Sequence, residues 1–344
     1  MLPASVTVME VSPRDGLQNE DVLVATEQKL QLIDHALACG SRRIEVTSFV
    51  HPQRVPQMAD AEAVCAALPE RPDVRYTGLV LNERGYRRLR ETTLDEAGLV
   101  VPVSDTFGER NQGQSVANAV AMAREVIRDG KQTGFPVQVT LAVAFGCPFE
   151  GTVPLQNLLA AAEALLEAGP VEIALADTIG VGVPWQVQQT FMALSELAGD
   201  VPMRAHFHDT RNTGIGNAYA SLLAGVATLD ASIGGIGGCP FAPNASGNIA
   251  TEDLVYLLNR SEVGHDLRMQ PLLEAAAWLA PVLGKRLPSL LLTAGAWRAL
   301  RWLCAVGGLA AGAAASGGGG GGVIVAVKSV EGQGINMQRH ADAI

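Results

Sequence analysis

VTVMEVSPRDGLQNE, residues 6–20, runs an apolar segment into Arg14, Asp15, Gln18, Asn19 and Glu20 within seven positions. A surface turn could hold such a cluster by chance. A strand that delivers polar side chains into a pocket is the competing reading, and the rest of the chain decides between them. Apolar, β-rich runs recur near residues 6–12, 42–48, 74–80, 98–103, 137–143, 171–176, 202–207 and 229–233. Helical patterns fill the gaps. In TEQKLQLIDHALACG (26–40), Leu30, Ile33 and Leu37 share one face and Gly40 supplies a stop. SVANAVAMAREVIRDGKQTG (115–134), PLQNLLAAAEALLEAG (154–169) and NAYASLLAGV (217–226) read the same way. Eight strands alternating with helices predict a parallel sheet, and eight is the number that closes a (β/α)8 barrel. A doubly wound open sheet is the runner-up, lowered because no glycine-rich dinucleotide fingerprint follows the first strand.

On this reading PRDGLQN follows the first strand, EVTSFV the second, ADTIG the sixth, HFHDT the seventh and GGIGGCPFAPNASGN the eighth. Barrel active sites are built at that rim, so these segments are expected to converge. The fold class is α/β, a (β/α)8 TIM barrel with extra C-terminal helices. Residues 1–300 form the catalytic domain and residues 301–344 a low-complexity, flexible tail. Residues 302–327 carry no charge and include six consecutive glycines, 317–322. Those glycines interrupt the apolar run before it could span a bilayer, so no membrane contact is expected.

Composition narrows the function classes. With 344 residues, 48% of them hydrophobic and 17% charged, the chain has ample material for a core. A net charge of −10 argues against nucleic-acid binding, which needs a basic face. It also requires local Arg or Lys groups to hold an anionic ligand. Five cysteines, Cys39, Cys65, Cys147, Cys239 and Cys304, are scattered without a CxxC pair, as in a reducing compartment. No basic-then-apolar leader opens the sequence, and a cytoplasmic location is expected.

The candidate chemistry starts at RAHFHDT. His206 and His208 are one residue apart on an expected strand, so both rings lie on one face, close enough to share a cation. Asp15 and the amide of Asn248, arriving at the same rim, would complete a mixed nitrogen and oxygen set. Such a set suits Mg²⁺ or Mn²⁺, and no thiolate spacing supports structural zinc. Taken alone, an HxH pair is more often barrel packing. Arg14 and Asp15, adjacent at a strand end, are expected to point in different directions. Arg14 could stabilise negative charge on a substrate oxygen, or pair with Glu45 at the end of the second strand, and the two roles are compatible. Cys239 sits in a glycine-rich loop between Gly238 and Pro240, where a thiol could act as acid or base, though a lone cysteine is more often inert. Asp177 in ADTIG is equally readable as a base, a partner of the metal site or a helix N-cap.

Together PRDGLQNE (13–20), RIEVTSFVHPQRVPQMAD (43–60), FGCPFEG (145–151), ADTIG (176–180), HFHDT (206–210) and GGCPFAPNASGNIATEDLVYLL (237–258) resemble the 3-hydroxy-3-methylglutaryl-CoA lyase family. That family lies within a wider group of metal-dependent (β/α)8 enzymes that includes isopropylmalate and homocitrate synthases. The resemblance runs from about Val6 to Arg298, and its first and last strings are specific to the lyase. It implies a retro-Claisen cleavage of a 3-hydroxyacyl-CoA thioester, giving acetyl-CoA and acetoacetate, with Mg²⁺ or Mn²⁺ as cofactor and a homodimer as the assembly. It implies Asp15, His206, His208 and Asn248 as metal ligands, His206 acting in catalysis as well, and Arg14 as the group that stabilises the enolate. It likewise implies Cys239 as the cysteine of an active-site loop, and Asp177 and Glu45 as acidic residues of proton transfer and arginine positioning. Arg110 and Asn111, in FGERN, are placed for contacts with CoA. Arg211, His51 and Arg54 depart from the family's pattern, and an added cation near the acyl end would point to a longer or more polar acyl group. A condensing synthase and a non-catalytic acyl-CoA-binding barrel are the alternatives. The Cys239 loop opposes the first, and the intact ligand set opposes the second.

Overall fold

A computed structural model describes residues 1–238 and 247–295. Expectations for residues 239–246 and 296–344, among them Cys239 and the Gly-rich tail, lie outside the described residues. The eight strands are Thr7–Glu10 (β1), Arg43–Ser48 (β2), Arg75–Val80 (β3), Glu96–Pro102 (β4), Val137–Ala142 (β5), Ile173–Asp177 (β6), Met203–Phe207 (β7) and Thr228–Ala231 (β8). They pair in parallel and in sequence order, and β8 closes on β1 through Thr7↔Thr228 to Glu10↔Ala231. The result is the expected (β/α)8 barrel. β1 stops short of its expected end because the chain turns at Ser12, and β4 starts earlier because Glu96 pairs with Thr77.

Thr26–Cys39 (α1), Ala61–Ala66 (α2), Glu83–Arg90 (α3), Asp105–Gln112 (α4), Val116–Thr133 (α5), Leu155–Leu166 (α6), Pro184–Ala198 (α7) and Gly214–Leu223 (α8) follow the strands. After β8 come Thr251–Arg260 (α9), Met269–Leu283 (α10) and the short Leu291–Ala294 (α11). Sequence signals set the helix ends. The Ser115 hydroxyl accepts from the Asn118 N–H at 3.3 Å and caps α5. Gly40, at φ 104°, ends α1 in a left-handed conformation, with Asp266 backbone too close to admit a side chain.

The hydrophobic core lies between strands and helices, where Ile44, Leu99, Leu141, Leu175 and Phe207 are buried along with Ile33, Ile127, Leu158 and Phe191. The barrel's lumen is filled differently. Arg43 donates to Glu96 Oε1 at 2.9 Å and to Glu172 Oε1 at 2.8 Å. Arg204 donates to Glu172 Oε2 at 2.9 Å, to Thr140 Oγ1 at 2.8 Å and to Asp230 Oδ2. β2 and β6 are not neighbours, so a bond from Arg43 to Glu172 can only cross the interior. The usual filling of a barrel lumen is branched aliphatic side chains. Here it is a ladder of alternating charge.

Candidate active site

β1 leads into a π-helical turn, Ser12–Gly16, opened by Pro13 and closed by a Gly16 N–H bond to the Val11 carbonyl at 3.1 Å. The turn brings neighbouring side chains to the same side, unlike a strand, which would alternate them. Arg14 and Asp15 therefore pair, Nη1 to Oδ1 at 2.5 Å, and the expectation that they diverge is corrected. Arg14 Nε and Nη2 also reach Glu45 Oε2, each at 2.5 Å. Glu45 is the third residue of β2 and not its end, since that strand continues to Ser48 past an irregularity between Glu45 and Thr47.

His206 and His208 come from the C-terminal end of β7, their ring centroids 5.1 Å apart. Their Nε2 atoms lie 3.8 and 3.7 Å from Asp15 Oδ2, and the three ligand atoms fall within 4.8 Å of one another. Asn248, bridged to His208 through backbone, donates from Nδ2 to Asp15 Oδ2 at 2.7 Å and to the Ile236 carbonyl at 3.1 Å. It is at the cluster as expected, but its amide nitrogen faces Asp15. An oxygen-ligand role needs the amide turned by half a rotation. His206 Nδ1 lies 3.1 Å from Asp230 Oδ2.

The cluster fits a divalent cation. Its donors are one carboxylate and two imidazoles, with an amide adjacent. Through its hydrogen bonds it joins five acidic side chains (Asp15, Glu45, Glu96, Glu172, Asp230) to three guanidinium groups (Arg14, Arg43, Arg204), so the acidic groups outnumber the basic ones by two. A divalent ion between Asp15 and the imidazoles would balance them. Burial opposes ionisation of Asp15, yet the Arg14 guanidinium, together with the two imidazoles beside it, holds its carboxyl well below the usual range. Burial pushes the His206 ring down, and the Asp230 hydrogen bond with the Asp15 and Asp230 charges more than offsets it, leaving it raised. Glu45 is raised by burial, beyond what Arg14 restores, with Asp15 and Asp230 adding to the rise.

Arg14, Asp15, Glu45, His206 and His208 line a cavity of about 580 Å³ that reaches Arg204 and Asp230, with His51, Arg54 and Asn111 also on its wall. Asp177 is elsewhere engaged. Its two oxygens accept from the Val181 and Gly182 N–H groups, each at 2.9 Å, so it closes the turn after β6 and is not a helix N-cap. Arg110 stacks over Phe149 at 4.2 Å, away from the cavity that Asn111 lines. Arg211 donates to the Ile179 and Gly180 carbonyls, both at 2.9 Å. The turn after β6 presents two bare carbonyls that take up its charge, so it adds no cation to the cavity wall.

Comparison with known proteins gives this geometry its lineage. The HMGL-like family model matches residues 5–279. The chain belongs to the HMGL-like family. It is 39% identical over 287 residues to a hydroxymethylglutaryl-CoA lyase of Bacillus subtilis, covering 83% of this chain and 96% of the relative. It is 40% identical over 301 residues to the (R)-citramalyl-CoA lyase of Chloroflexus aurantiacus, covering 85% and 95%. A solved HMG-CoA lyase from Acinetobacter baumannii, in complex with coenzyme A and 3-methylmalate, superposes with a TM-score of 0.81 at 37% identity, covering 85% and 95%. The expected family and lyase class are borne out. In this HMGL-like chain the sequence reading passed over Asp230 and Arg204. Arg204 shares the parity of His206 and His208 on β7, and Asp230 is the acid inside an otherwise uncharged β8; both signals were there to be used. No described helix is long and apolar enough to cross a membrane.

Proposed function

We propose that the chain cleaves 3-hydroxy-3-methylglutaryl-CoA, or a close 3-hydroxyacyl-CoA, to acetyl-CoA and acetoacetate or the corresponding keto acid. The meeting of Asp15, His206 and His208 beside the Arg14–Glu45 pair in one cavity carries this reading. Asp15, His206 and His208, with Asn248, would hold Mg²⁺ or Mn²⁺. When bound, that ion supplies Lewis-acid polarisation of the substrate hydroxyl, easing loss of its proton. Arg14 has five N–H groups, of which Glu45 and Asp15 take three, leaving two to face the thioester oxygen as negative charge grows on it. Glu45 holds that guanidinium in place. Asp177 fixes the rim loop through the two amides it accepts from. Cys239 is assigned the proton that quenches the enolate carbon, on the resemblance alone. Arg110 and Asn111 remain our assignment for contacts with CoA, Asn111 from the cavity wall.

The similarity to a citramalyl-CoA lyase supports a second substrate of the same chemical class. A coupled assay across 3-hydroxyacyl-CoA thioesters, with Mg²⁺ and with Mn²⁺, separates the two. Acetyl-CoA release from one of them is expected. Cleavage of none, with free thiol appearing from acetyl-CoA and a 2-oxo acid, would point to a synthase instead. We also place the enzyme in the cytoplasm as a homodimer. Exposed apolar side chains on α7 and α8, Trp185 at 74% with Met192 and Tyr219, support the dimer, and light scattering on the purified chain checks it.

A further inference from the structure

Among the two histidines of the cluster, one ring is held from behind and the other is not. His206 Nδ1 is 3.1 Å from Asp230 Oδ2, whereas His208 Nδ1 is buried with no partner among the described residues. An ionised carboxylate only accepts, so the proton of a neutral His206 must sit on Nδ1. Nε2 is then bare, and Nε2 is the atom that faces Asp15. Arg204 Nη1 pairs with Asp230 Oδ2 inside the barrel, and that fixed guanidinium favours the carboxylate form of the side chain. Asp230 Oδ1 finds no partner among the described residues, so the bonding of this side chain goes to Arg204 and His206 through Oδ2.

Behind Arg204 the ladder continues through Glu172 and Arg43 to Glu96, which also accepts from Thr77 Oγ1 at 2.9 Å. Five side chains from five different strands or their edges thus stand behind one oxygen. A buried ion-pair chain adds little stability over hydrophobic packing of the same volume. Orientation of the group at its end is what it does supply.

We infer that Asp230, braced by Arg204, is a positioning residue that selects the Nδ1–H tautomer of His206 and so presents Nε2 to the cation; the inference rests on the metal-dependent reading above. Among the described residues His208 carries no such brace, and its tautomer is set when the cation binds. An orienting carboxylate of this kind typically accounts for about 10- to 100-fold in metal affinity.

The test uses the full chain, metal-free, labelled with ¹⁵N-histidine and held at a pH where both rings are neutral. His206 should show one tautomer, protonated at Nδ1, while His208 shows a mixture. Asp230→Asn keeps the shape, but an amide can either accept from Nδ1–H or donate to a bare Nδ1. The variant should therefore lose the single tautomer and bind Mn²⁺, followed by its electron spin resonance, about 10- to 100-fold more weakly. A wild-type His206 protonated at Nε2 overturns the inference whether or not the variant folds. So does an Asp230→Asn protein whose tautomer and Mn²⁺ affinity match wild type. A wild type that takes up no Mn²⁺ at all overturns the metal-dependent function as well.

Discussion

The lumen ladder and the rim cluster are built from the same kinds of residue and behave oppositely. In the ladder Arg43 and Arg204 donate along a chain of carboxylates, and Glu96 and Glu172 accept on both oxygens. At the rim Asp15 Oδ2 faces two imidazole nitrogens at 3.7 and 3.8 Å, beyond hydrogen-bond reach. Charges that answer one another hold a scaffold. A carboxylate set beside two imidazole nitrogens that it does not bond is a donor set for a cation.

The largest expected effect breaks the scaffold side. Arg43→Met leaves Glu96 and Glu172 without a shared cation, and breaking a buried pair costs about 3–5 kcal/mol. Urea unfolding should show that loss. Replacing Arg43, Glu96 and Glu172 together by apolar residues of matched volume should restore much of it. On the rim side, Arg14→Met should lower kcat by about 10²–10³-fold, some 3–4 kcal/mol of barrier, measured as acetyl-CoA release.

Glu252, at the start of α9, sits between these cases. It is buried with its oxygens 3.1 Å from the Gly234 N–H and makes no ion pair among the described residues, and burial pushes its carboxyl up to about 7. The folded state then binds the proton more tightly than the unfolded chain, so this group's contribution is full below about pH 4.5 and lost as pH rises toward 7, to an extent of about 3 kcal/mol. Glu252→Gln cannot ionise, and its stability relative to wild type should improve between pH 5 and pH 8. A difference that stayed constant across that range would show Glu252 unshifted. The smallest effect is a control: Ser115→Ala removes the α5 cap for about 1 kcal/mol and should leave turnover untouched.

The strands were legible because each apolar run is bounded by a helix with its own stop, such as Gly40 after Cys39. Polar strings at the strand ends gave the rim for the same reason. The lumen was not read, because the runs at 42–48 and 202–207 were taken as apolar although Arg43 and Arg204 in them point inward, and the run at 98–103 began two residues past Glu96. Parallel strands usually run hydrophobic on both faces, and that habit hid the alternation. The Arg14–Asp15 pair was misjudged because a π-helical turn has no sequence signature comparable to a cap or a glycine stop. Arg211 was misjudged because the carbonyls that hold it belong to backbone 31 and 32 residues away in the chain.

Anomalous diffraction from crystals of the full chain soaked in MnCl₂, collected at the manganese edge, bears on the central claim without assuming a substrate. One peak within about 2.0–2.4 Å of an Asp15 oxygen and of both Nε2 atoms is the predicted result. An empty map at that point, or manganese bound only elsewhere, would contradict it.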